Sequence, residues 1–87
     1  MKRTIEVRLA RAEGAIVRTL GLIERRGFTV TAIATRNDAH SEMLILRLDV
    51  ASEGRPFDVL IRQILKLFEV RAVQLIELQP ADARAAC

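Results

Sequence analysis

The feature that most constrains this chain is the stretch Leu20–Ala34, LGLIERRGFTVTAIA, where a helical repeat of apolar residues gives way to a strand repeat within two residues. Ile16, Leu20 and Ile23 fall at i, i+4 and i+7, one stripe of a helix. After Gly27, the series Phe28, Val30, Ala32, Ala34 alternates with Thr29, Thr31, Ile33, Thr35, the pattern of a strand. Arg25 and Arg26 place cations at the negative end of the helix dipole, and Gly27 can take the left-handed conformation that closes a helix. The spacing therefore predicts a helix running into a strand through a short, stiff joint.

On either side of this joint the chain keeps the same grammar. Thr4–Ala10 reads as a first strand, with Ile5, Val7 and Leu9 on one face and Glu6 and Arg8 on the other. Arg11, Ala12, Glu13 and Gly14 form a loop, and the first helix follows over Ala15–Arg26; Gly21 inside it suggests either close approach of a neighbour or simple tolerance. The second strand, Phe28–Thr35, meets a polar turn at Arg36–His40, where Asn37 and Asp38 suit a hairpin. The third strand, Glu42–Val50, has apolar residues on both faces near its start, so Ile33, Met43 and Ile45 are expected to share an apolar patch on the side of the sheet away from the helices. Pro56 suits a helix start, and Phe57, Leu60, Ile61, Ile64, Leu65 and Phe68 fit one helical stripe. A last strand over Val70–Leu78 ends before Pro80.

Strand, helix, strand, strand, helix, strand with one apolar stripe per helix predicts an α+β, ferredoxin-like βαββαβ sandwich: a four-stranded antiparallel sheet with both helices on one face. Crossover rules put strands one and three at the centre, side by side and parallel, with strands two and four at the edges. Strand two is then free to pair with another chain. Residues 1–79 are expected to form one domain and residues 80–87 a disordered tail.

With 87 residues, a domain buries only about 60% of its unfolded-chain surface, so pairing with a second copy is a reasonable source of stability. Charges interrupt the N-terminus MKRTIEVRLA where a signal peptide would be apolar, and no apolar run approaches the roughly 20 residues that span a bilayer. A soluble, cytoplasmic protein is expected, and the single Cys87 is consistent with a reducing compartment. The net charge of +3 arises from interspersed signs, and three Phe with no Trp or Tyr leave little to stack on bases, which argues against nucleic-acid binding.

No catalytic or metal-binding pattern is present: there is no nucleophile elbow, phosphate-binding glycine loop or paired Cys or His, and His40 lies in a turn. The remaining place of interest is the first loop. Gly14 opens a helix whose amides point towards any anion placed there, and its missing side chain lets a ligand approach; a glycine needed only for a tight turn reads equally well. Acylphosphatases share this topology and use an arginine in this loop and an asparagine near the second hairpin. Arg11 and Asn37 match superficially, but Ala10-Arg11-Ala12-Glu13 lacks the glycine-rich cradle and brings in a carboxylate.

AEGAIVRTLGLIERRGFTVTAI after a strand, and IRQILKLFEVRAVQLIEL after a hairpin, resemble the ACT domain, a regulatory module that commonly binds amino acids at dimer interfaces. Within that family the pattern looks like the small regulatory subunit of acetolactate synthase. The matching pieces are Glu13-Gly14 with Ile16 and Arg18, Gly21-Leu22, Arg25-Arg26-Gly27-Phe28 running into Val30 and Ile33, and Gln63 with Leu65-Lys66-Leu67 and Val70. Ending after one such domain resembles the short form that accompanies the valine-insensitive isozyme. The resemblance implies a non-catalytic homodimer, paired through strand two and helix one, that activates a catalytic subunit using thiamine diphosphate, Mg²⁺ and FAD in branched-chain amino-acid synthesis. It also implies an effector site at Arg11, Glu13, Gly14, Ala15, Ile16 and Thr29, with a branched-chain amino acid as the ligand, and a catalytic-subunit contact at Ile33, Met43 and Ile45. Feedback-inhibited relatives usually carry Asn at the positions of Arg11 and Thr29, so these two departures bear on valine. A free-standing amino-acid sensor is the alternative within the same fold.

Overall fold

The computed structural model describes residues 2–76. Six elements follow in order: β1 (Lys2–Leu9), α1 (Ala15–Arg25), β2 (Thr29–Asn37), β3 (Leu44–Ala51), α2 (Phe57–Leu65) and β4 (Val70–Ile76). They form one four-stranded antiparallel sheet in the order β2-β3-β1-β4. The architecture is the expected ferredoxin-like one, and β2 and β4 are its edges. The central pair, however, is antiparallel: Ile5 lies opposite Leu48 and Val7 opposite Leu46. The reason is the chain path. Helix α1 carries the chain back so that β2 runs in the direction of β1, and the hairpin then reverses β3, which slots between them. The expected tail at 80–87 and the last residues of the expected fourth strand lie outside the described residues.

The helix-side face of the sheet supplies Ile5, Val7, Leu9, Leu46, Leu48 and Val50, all fully buried, against Leu22 and Ile23 of α1 and Phe57, Leu60 and Ile64 of α2. The joint between α1 and β2 closes as a Schellman motif. The Phe28 amide donates to the Ile23 carbonyl (3.2 Å) and that of Gly27 to Glu24 (3.1 Å), with Gly27 at φ 90°. Phe28 drops directly into the core, its ring 5.2 Å from that of Phe57. A side chain at Gly27 would also run into Arg55. Gly21 is different: a Cβ there would meet only the Arg25 guanidinium, so no neighbouring element of this chain requires it.

Two expectations about faces fail, each for a local reason. The ladder between β2 and β3 shifts at Thr31, where a bulge separates Val30, opposite Val50, from Ala32, opposite Asp49. An extra residue reverses the alternation. Ile33 consequently lies opposite Leu48, on the helix side of the sheet, while Ala32 and Ala34 turn to the open side. In α2 the stripe stops early. Val70 is taken into the ladder opposite Leu9, and the Glu69 carbonyl accepts from the Ala10 amide (2.8 Å), so the chain leaves the helix at Leu65. Leu67 packs against the core instead, and Phe68 is left 86% exposed.

Candidate functional site

The hairpin of β2 and β3 is tied by Asp38, which accepts from the His40 amide (3.2 Å) and the Ser41 hydroxyl (2.9 Å). These bonds, followed by the nearby Arg8, hold its carboxyl below the usual aspartate range. Arg8 pairs with Asp38 at 3.3 Å, and Glu6 receives both Arg36 and Arg47 at 3.8 Å. The open face of the sheet is thus a lattice of arginines and carboxylates. Ile45 lies within it, between Arg8 and Arg36 across the two ladders, and is only 4% exposed. Met43 falls in the turn before β3, half-buried, and Ile33 is on the other face. Ile33, Met43 and Ile45 therefore do not make one apolar patch on the open side: the bulge removes the first and arginines enclose the last.

The loop after β1 is the other candidate. Gly14 caps α1 at φ 80°, a left-handed conformation that favours glycine, and supplies no side-chain cap. The Arg18 guanidinium folds back over it, donating to the Glu13 carbonyl at 3.0 Å, and a Cβ on Gly14 would approach Arg18 Nη1 to 2.8 Å. The same guanidinium pairs with Glu69 in the turn between α2 and β4, and this hydrogen bond holds the Glu69 carboxyl below its ordinary range. Arg18 thus joins the loop to a turn 51 residues further on. No spacing rule could reveal that pair.

Around the loop, Ala10, Arg11, Ala12, Glu13, Ala15, Ile16 and Leu44 line an open depression of about 350 Å³. Of the expected effector residues, Arg11, Glu13, Gly14, Ala15 and Ile16 come together here. Thr29 does not: it begins β2 opposite Ala51, at the far end of the sheet, beside a separate depression of about 460 Å³ with Gly27, Ser52, Glu53 and Arg55. Eight strand steps, roughly 25 Å, separate it from Asn37 at the loop's end of the same strand. Arg11 donates to the Asn37 side-chain oxygen, so the strand's last residue holds the loop's cation. Arg11 and Asn37 are brought together, as an acylphosphatase site requires, but they pair with each other, and Glu13 is the loop's other charge.

Among the described residues no group of three or more His, Cys, Asp or Glu is placed to hold a metal ion, and no helix is long and apolar enough to cross a membrane.

The model of the ACT domain matches residues 11–73. No curated protein sequence matches the chain. Among solved structures, the acetolactate synthase small subunit of Thermotoga maritima superposes with a TM-score of 0.81 at 21% identity, covering 92% of this chain and 50% of that one. This chain therefore spans half the length of that subunit. The ACT domain of GTP pyrophosphokinase from Chlorobium tepidum gives 0.69 at 14% identity, covering 87% of this chain and 97% of that one. The C-terminal domain of the MgtC protein from Mycobacterium tuberculosis gives 0.70 at 17%, covering 94% and 92%. Identities this low speak for the fold alone.

Proposed function

The chain belongs to the ACT-domain family, and from that premise we infer that it is the regulatory subunit of an acetolactate synthase. It binds the catalytic subunit and raises its activity in branched-chain amino-acid synthesis. The observation that carries this reading is the meeting of the two motif segments on which the family pattern rests. Arg26, from Arg25-Arg26-Gly27-Phe28, donates to Gln63, the first residue of the Gln-x-x-Lys-Leu-x-x-Val run, at 3.1 Å. Gly27 and Phe28 close the joint into β2, and Leu67 and Val70 of the second segment pack on the core. Arg26, Gln63, Gly27, Phe28, Leu67 and Val70 thus each help to position α1, α2 and β2.

The chemistry belongs to the catalytic partner, whose thiamine diphosphate, Mg²⁺ and FAD carry the reaction. This chain acts by binding an active conformation of that partner better than an inactive one. Two copies pair through β2, whose unpaired edge has Ile33 at its centre, 52% exposed, with Val17 of α1, 72% exposed, on the same side of the sheet as the helices. An antiparallel register centred on Ile33 sets Thr29 of one copy opposite Asn37 of the other. The effector residues that one protomer holds at opposite ends of its sheet then meet across the pair, with Arg11 already engaged by Asn37. A long cation held there stands in place of a neutral amide, which fits a form that valine does not inhibit.

The test is complex formation with the cognate catalytic subunit by size-exclusion chromatography, paired with calorimetry of the chain alone against valine, leucine and isoleucine. A stable complex is expected. No complex, with heat released by one of the amino acids, would instead establish a free-standing sensor.

A further inference from the structure

Resting on the regulatory-subunit reading, we propose that the turn between α2 and β4, with Phe68 at its tip, is the surface that docks on the catalytic subunit. It fits an apolar pocket edged by carboxylates. The other two phenylalanines, Phe28 and Phe57, are buried against each other, whereas the Phe68 ring is 86% exposed, and Leu65 at the end of α2 is 46% exposed. Single exposed apolar residues are ordinary. This one differs in being held on a braced support. The Phe68 carbonyl accepts from Arg71 (2.8 Å), the Val70 amide donates to Leu67 (3.1 Å), the Ala10 amide donates to the Glu69 carbonyl (2.8 Å), and Arg18 clamps the Glu69 side chain. A ring on a fixed turn loses little freedom on burial, which is the condition under which one aromatic contributes strongly to binding.

Charge decides what can cover it. Lys66 and Arg71 lie on either side of Phe68 in the chain and are exposed, with Arg71 bonded to the Phe68 carbonyl, while the neighbouring anion, Glu69, is taken up by Arg18. The surround is cationic, so the complementary rim is acidic. A second copy of this chain does not offer that. Its apolar depression of about 160 Å³, formed by Phe28, Pro56, Val59 and Leu60, is edged by Arg26 and Arg55. Like charges would meet there. The turn also adjoins the effector loop through Arg18 and Ala10, so a partner seated on Phe68 and a ligand at Arg11 act on one braced unit.

The experiment measures affinity of the full chain for the immobilised catalytic subunit, comparing wild type with Phe68→Ala, Phe68→Leu and Lys66→Glu. Circular dichroism and sedimentation of each variant report fold and self-association. Phe68→Ala is expected to weaken binding at least tenfold, Phe68→Leu less than threefold, and Lys66→Glu severalfold, with fold and self-association unchanged. Wild-type affinity in Phe68→Ala would overturn the docking assignment and leave the regulatory reading standing. Loss of self-association in Phe68→Ala would also overturn it, by placing the ring between copies. Absence of binding by the wild type would overturn the regulatory reading, and the docking assignment with it.

Discussion

The two edges of the sheet are built from different materials. Along β2 the residues are small or β-branched, Thr-Val-Thr-Ala-Ile-Ala-Thr, with no charge between Thr29 and Thr35. A bulge at its start turns Ile33 towards the helix side, where it stands half-covered. A strand edge without charges, prolines or cover is what natural sheets ordinarily avoid, unless the edge is used for pairing. The β4 side has Arg71 at its start and the clamped turn with Phe68 before it. One edge suits a copy of itself, a two-fold match of like with like. The other suits a chain of opposite charge. On the proposed reading, one small sheet separates self-association from partner docking by placing an uncharged strand at one edge and a cationic turn at the other.

The largest difference is expected between the two isoleucines, Ile45 and Ile33. Ile45, 4% exposed beneath the arginines of the open face, should cost about 3 kcal/mol when replaced by Ala. Ile33→Ala should cost about 0.5 kcal/mol or less in dilute, unpaired protein. Urea denaturation at low protein concentration measures both, and equal losses would mean that Ile33 is as deeply buried as Ile45. Next in size is Ile33→Lys, which sets two cations against each other at the proposed two-fold. Self-association should weaken at least about tenfold, or roughly 1.4 kcal/mol, as read by sedimentation equilibrium, while Phe68→Ala leaves it unchanged. If both variants dissociate, the edges are not separate.

The smallest effect lies in the strut between loop and turn. The fold, chiefly through the Arg18 hydrogen bond, holds Glu69 below the ordinary glutamate value. Its contribution to stability is therefore fully present above that value and is lost as the pH falls through the lowered one. The difference in urea midpoint between wild type and Glu69→Gln should narrow as the pH is taken from neutral to about 3. A difference that does not change with pH would show that shape, not charge, holds the turn.

The order of elements, the hairpin, the left-handed Gly27 and the core stripes were legible because each rests on local periodicity or on a turn residue. The bulge was not. Every residue from Thr29 to Thr35 is small or β-branched, so either alternation looks acceptable, and only the ladder with β3 decides between them. The end of α2 was equally hidden, since its apolar stripe runs on to Phe68 in the sequence while the first pairs of β4 draw the chain away. At the candidate site, Gly14 could be picked out from loop chemistry and Arg11 from the family resemblance. Their fixing partners could not, because Asn37 and Glu69 lie 26 and 51 residues away from the arginines they hold. Likewise, nothing in the composition separates the exposed Phe68 from its two buried counterparts.

That this chain activates an acetolactate synthase is tested by the initial rate of acetolactate formation when the cognate catalytic subunit is titrated with it. The predicted result is a saturable rise in rate that valine does not reverse, with valine sensitivity introduced by Arg11→Asn. A rate that stays flat at every ratio of the two proteins would contradict it.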